Sequence, residues 1–89
     1  MICKIIYAEN AISQLKKLSI ATRKQILEKL YFYSQQSNPM FYAKKLSNSD
    51  FGEFRFRIGK YRAIFDMDKQ GNITVLFILS VKHRKDIYK

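Results

Sequence analysis

With 89 residues, 47% of them hydrophobic and 15% aromatic, the chain can fill one modest core and excludes a second domain of ordinary size. Seventeen Lys and Arg against seven Asp and Glu leave a formal charge of +10, which repels itself and points to a polyanionic partner, nucleic acid or an acidic protein. One cysteine excludes an intramolecular disulfide, and one histidine excludes a Cys/His zinc cluster.

Residues 2 to 8, ICKIIYA, are short, aliphatic and β-branched and read as a first strand, with Cys3 as a small core residue. The apolar run at the N-terminus is too short for a signal peptide, and no segment approaches the ~18 apolar residues of a membrane span. A soluble, cytoplasmic protein is therefore expected. Asn10 offers a cap for a helix over residues 11 to 18, with Ile12, Leu15 and Leu18 at helical spacing. Ser19 then caps a longer helix from 20 to 36, whose apolar positions Ile26, Leu27, Leu30 and Tyr33 recur at three and four.

Residues 37 to 52 hold the single proline and several Ser and Asn, and read as a loop with a helical turn around Tyr42 to Leu46. Strands follow at 53 to 58, 61 to 67 and 73 to 81. Gly59-Lys60 is a two-residue hairpin turn, and Asp68 to Asn72 a longer one with Gly71 supplying positive φ. The last strand, ITVLFILSV, is apolar at both parities, which suggests a central position covered on both sides and is compatible with the first strand pairing beside it. The order β-α-α-β-β-β predicts an α+β domain over residues 1–89, a helical hairpin packed on one face of a small, twisted, mostly antiparallel sheet.

The segment EFRFRIGKYRAIF, residues 53 to 65, sets the functional question. A tight turn at Gly59-Lys60 puts Ile58 opposite Tyr61, Arg57 opposite Arg62 and Arg55 opposite Ile64. Phe54, Phe56, Ile58, Tyr61, Ala63 and Phe65 then share the core face, while Arg55, Arg57 and Arg62 share the other. Directly opposed like charges, with Cβ atoms about 5 Å apart, destabilise a sheet by up to ~1 kcal/mol. Glu53 and Asp66 lie on the same face and could relieve this repulsion. The alternative is an anion: guanidinium forks suit phosphate oxygens and can stabilise charge developing on them. The ending SVKHRKDIYK adds Lys82, His83, Arg84 and Lys85. His83 is the only side chain whose ordinary pKa allows proton transfer near neutrality, and Tyr88 could stack on a base or donate a proton.

The pair FRFRIGKYRAIFDMD and LFILSVKHRKDIYK resembles the C-terminal half of the RelE/ParE toxins of type II toxin–antitoxin modules, and the element order extends the resemblance over the chain. The resemblance implies a microbial-RNase-like fold and a cognate antitoxin that wraps the toxin. For RelE-like members it also implies ribosome-dependent, metal-independent mRNA cleavage that inhibits translation, with no cofactor. It further implies contact with operator DNA only through the toxin–antitoxin complex, and no membrane partner. Arg62 matches the family's arginine after tyrosine, Arg55 and Arg57 match basic positions that are lysine in some members, and Lys82 or Arg84 matches the basic residue leaving the last strand. Tyr88 matches a C-terminal tyrosine of ribonuclease members. On this reading Arg62 and Arg84 carry the phosphate charge. Arg55, Arg57 and Lys60 bind the RNA backbone, His83 or Lys82 takes a proton, and Tyr88 stacks or donates one. The alternatives are a ParE-like inhibitor of DNA gyrase and a non-enzymatic basic nucleic-acid-binding module.

Overall fold

The structure, a computed structural model, describes residues 2–46 and 52–87. In chain order the elements are β1 (Ile2–Tyr7), α1 (Glu9–Lys16), α2 (Ile20–Ser34), a 3-10 turn (Pro39–Tyr42), β2 (Ala43–Lys45), β3 (Phe54–Ile58), β4 (Tyr61–Gln70), β5 (Ile73–His83) and α3 (Arg84–Ile87). They build one five-stranded sheet in the order β1-β5-β4-β3-β2. Its pairs are antiparallel except β1 with β5, which are parallel. This is the expected α+β architecture, with β5 interior beside β1.

Three local expectations are corrected. The helical turn lies at Pro39–Tyr42, earlier than expected, where proline opens the turn because it has no amide hydrogen to leave unbonded. The following residues Ala43–Lys45, expected within that helical turn, form an edge strand on β3. Three residues with two exposed lysines carry no alternating pattern, and lysine is a residue that blunts sheet edges. The β4–β5 turn is also tighter than expected: the ladder runs to Gln70 opposite Ile73, and only Gly71 and Asn72 turn the chain, with Gly71 at φ 62°.

The longer helix begins where a side chain can close its end, and α1 does not. Ser19 caps α2, its Oγ accepting from Thr22 N–H at 3.2 Å. Residue Asn10 does not cap α1, which begins one residue earlier at Glu9; its amide serves the sheet instead. Between helices and sheet lies the core: Ala11, Leu15, Ile26, Leu30 and Tyr33 against Phe56, Ile58, Ala63, Phe65, Leu76, Ile78 and Val81. Its spine is a column of rings. Tyr33 stacks on Phe56 at 4.7 Å between centroids, and Phe56 on Phe65 at 4.3 Å. Each such pair contributes about 0.5–1.5 kcal/mol beyond the burial of its area. Cys3 packs against this core, where burial pushes its thiol pKa up and so disfavours the reactive thiolate.

One irregularity sets the register of everything C-terminal to it. On β4, Phe65 pairs with Ile78 and Ile64 with Ser80, so β5 carries an extra residue, Leu79. Parallel pairing with β1 ends at the same place, Tyr7 opposite Ile78. The exposed edge of β5 is then taken over by side chains of α1. Asn10 Nδ2 donates to the Leu79 carbonyl at 3.4 Å, and the Val81 N–H donates to Gln14 Oε1 at 2.6 Å.

Removing the Gln14 acceptor leaves a buried N–H unbonded, at a cost of about 1–3 kcal/mol. Gln14→Ala is expected to lower Tm by about 4–8 °C per kcal/mol and to speed hydrogen exchange at Val81 ahead of the β4–β3 ladder. Thermal unfolding and amide exchange by NMR check this, and unchanged Val81 exchange would refute the clamp.

Candidate nucleic-acid interface

The β3–β4 register is the one expected: Arg57 opposite Arg62, Arg55 opposite Ile64, Ile58 opposite Tyr61. β5 extends both rows of the open face. Lys82 pairs with Arg62, and Ser80 with Ile64. β2 extends the second row on the far side, with Lys44 opposite Arg55. Two adjacent rows therefore cross the sheet, Arg57–Arg62–Lys82 and Lys44–Arg55–Ile64–Ser80. The face holds five cations at neighbouring register positions. Gly52 lies close over it: a Cβ there would meet Ile64 Cγ2 at 2.6 Å, so only glycine permits this approach.

Arg62 is the buried member, 6% exposed. Its Nη1 donates to two carbonyls, of Gly59 and of Tyr61, each at 2.9 Å. The guanidinium thus pins the hairpin turn, and the carbonyl dipoles share its charge. This is how the sheet tolerates Arg57 opposite. Arg57 itself is exposed, and its backbone carbonyl accepts from Tyr33 Oη at 3.4 Å, which fixes the strand while leaving the side chain at the surface. Asp66, expected as a possible neutralising partner, has another use: its Oδ1 accepts from Glu53 N–H at 2.9 Å and anchors the start of β3.

The remaining candidates separate by face. Lys82, half-buried, stands with the arginines. His83 pairs with Tyr61, a core-face residue, and meets its ring edge-on at 5.3 Å. Its Nδ1 accepts from Lys85 N–H at 3.2 Å. The two therefore point to opposite sides of the sheet, and only Lys82 joins Arg62 and Arg57. Arg84 is exposed at the start of α3, and its N–H donates to the Lys60 carbonyl at 2.7 Å, so these two meet at the hairpin end of the face. Tyr88 lies outside the described residues.

Two residues of the face were missed by sequence reasoning. Lys44 sits on the unrecognised edge strand. Ser80 is 4% exposed, on the row beside Lys82, and its Oγ is buried without a hydrogen-bond partner. A hydroxyl in an apolar strand reads as filler, and only the bulge turns it towards the cations.

Arg62 and Arg57 are expected to separate on substitution. Arg62→Ala removes two charge-assisted bonds from a buried group and should destabilise the fold by about 1.5–3 kcal/mol, whereas Arg57→Ala should lie within about 0.5 kcal/mol of wild type or above it. Urea unfolding of both variants checks this, and equal midpoints would refute the turn-pinning role.

Residues 5–88 match the family described as the ParE toxin of the type II toxin–antitoxin system parDE. No curated protein matches the chain. Among solved structures, a chain of the RelBE2 toxin–antitoxin complex of Mycobacterium tuberculosis is 26% identical with a TM-score of 0.73, over 91% of this chain and 96% of that one. A chain of the RelE–RelB complex of Pyrococcus horikoshii shares the fold at 20% identity and a TM-score of 0.67, over 94% and 97%. A chain of the RelB–RelE complex of Methanococcus jannaschii does so at 24% and 0.57, over 93% and 94%. With the family match spanning nearly its whole length, the chain belongs to the RelE/ParE toxins of type II toxin–antitoxin systems.

Proposed function

We propose that this toxin is a ribosome-dependent mRNA endonuclease that inhibits translation in the cytoplasm. The observation that carries the reading is the continuous row Arg57–Arg62–Lys82 with Arg55 in the row beside it, cations at neighbouring positions on a face not covered by the helices. Such a face suits a phosphodiester. The 2′-oxygen attacks the adjacent phosphorus and its proton passes to a base. The bond to the 5′-oxygen breaks, and that oxygen takes up a proton. Arginine is too weak a base for the first transfer. Lys82 is assigned that proton because it shares the face with Arg62, which His83 does not. Arg57 and Arg62, with Arg84 at the rim, stabilise charge on the pentavalent phosphorus, while Arg55 and Lys60 hold the RNA backbone. Tyr88 is assigned the proton for the leaving oxygen, on its match to the ribonuclease members of the family.

The cognate antitoxin is proposed to lay acidic side chains on this face, and operator DNA to be met only by the complex. The complex should then melt above the free toxin, with Arg57→Ala narrowing the difference. An unchanged difference would place the antitoxin's contacts elsewhere.

Primer extension on a translated reporter mRNA tests the nuclease, with purified ribosomes and either wild type or Arg57→Ala, which spares the fold. Cleavage at codon-spaced positions, absent without ribosomes and reduced about 10²-fold in the variant, is the expected result. The family match, described as a ParE toxin, favours a second reading, inhibition of DNA gyrase. Intact mRNA together with blocked supercoiling by purified gyrase would replace the first reading with the second.

A further inference from the structure

The ring column of the core does not end at the protein surface. Tyr33 stacks on Tyr42 at 5.0 Å, and Tyr42 meets Phe32 at 6.1 Å and Phe41 at 5.4 Å. These last three rings are exposed: Phe41 by 79%, Phe32 by 46% and Tyr42 by 40%. A cluster of aromatic rings left open on a chain of charge +10 calls for an occupant. Lys29 lies beside it, its Nζ 5.3 Å from the Phe32 centroid.

The patch lies on the helix side of the sheet and meets the rim of the arginine face at Arg57. A groove of about 380 Å³ runs between them, lined by Lys29 and Phe32 on one side and by Arg57, Ile58 and Gly59 on the other. Its acidic residue, Glu28, is already turned towards Lys24, 3.9 Å away. Arg57 therefore belongs both to the cationic row and to the groove. The exposed rings also stand at steep angles, 69° for Phe32 on Tyr42 and 81° for Phe41 on Tyr42. Steeply inclined rings present separate flat walls rather than one smooth trough. Flat walls beside cations match unpaired bases on a polyanionic backbone, whereas an amphipathic helix about 10 Å across needs a trough.

We infer that Phe32, Phe41 and Tyr42 form a stacking platform for bases of single-stranded RNA, flanking the phosphate held on the arginine face. The inference rests on the proposed reading of that face as a phosphodiester site. One nucleotide's backbone passes Arg57 and the groove, and the bases next to it leave their own stack to lie against the rings. The platform takes any base, because every base offers a π-face, and it rejects duplex, whose bases are covered.

The test is fluorescence anisotropy with a short labelled oligoribonucleotide, 2′-O-methylated so that it cannot be cleaved, and with a duplex of the same sequence. Phe41 is the residue to change, since so exposed a ring contributes little to folding. Phe41→Ala is expected to weaken single-strand binding about tenfold and leave duplex binding unchanged, with Phe41→Trp restoring affinity; Arg57→Ala should weaken both. If Phe41→Ala binds as wild type does while Arg57→Ala is impaired, the platform is overturned and the phosphate site stands. If wild type fails to bind the single strand at low salt, the platform and the phosphate reading fall together. Loss of antitoxin affinity in Phe41→Ala with RNA affinity intact would also overturn the proposal and assign the rings to the antitoxin.

Discussion

The extra residue in β5 is the constraint on which the functional face depends. Side chains alternate along a strand, so one inserted residue exchanges the two faces for everything beyond it. Counted from Ile78 on the core face without a bulge, Ser80 and Lys82 would fall among the helices and Val81 and His83 would face outwards. With Leu79 skipped in the β4 register, Val81 returns to the core and Lys82 joins Arg62. Burial of an apolar side chain stabilises by about 1.5–3 kcal/mol, so Val81 itself favours the bulged register. The side chains of α1 add to this by bonding Leu79 and Val81, backbone groups that β1 is too short to reach.

The crowding of cations has a second physical basis. Two unit charges 4 Å apart repel by about 1 kcal/mol in water and about 4 kcal/mol near a protein surface, enough to discourage a purely structural sequence from opposing them. Here the two arginines are not equivalent. Arg62 is withdrawn and its charge is spread into the carbonyls of Gly59 and Tyr61, while Arg57 remains exposed. The buried group makes a positive floor, and its neighbour supplies an exposed fork beside it. Preorganised charge of this kind needs little rearrangement when an anion arrives.

Most of the fold was legible because the strongest signals are local and periodic. The helical spacing of Ile26, Leu30 and Tyr33, the cap at Ser19 and the alternation of FRFRI and YRAIF each admit one arrangement, and all agree with the structure. The site was legible only up to the hairpin. Arg55, Arg57 and Arg62 follow from a two-residue turn, whereas the choice among Lys82, His83 and Arg84 depends on a bulge held by Asn10 and Gln14, over sixty residues away in sequence. No pattern in ILSVKHR records that contact. The strand at Ala43–Lys45 escaped for a related reason: its pairing partner, not its own composition, makes it a strand.

The same features bear on how one fold can present different surfaces. The fold is shared by toxins with different targets, so the fold cannot choose between them. In this chain the register of the last strand decides which side chains face outwards, and the turn carbonyls hold the hairpin charge. The bulge delivers a lysine beside two arginines, a grouping of cations that suits an anionic partner. The same strand one register earlier would present histidine with valine and bury the lysine. Removing Leu79 would close the bulge and leave Ser80, Val81 and Lys82 on their present faces, whereas regular pairing that keeps Leu79 would exchange them, so the faces beyond this point are set by how one residue is accommodated.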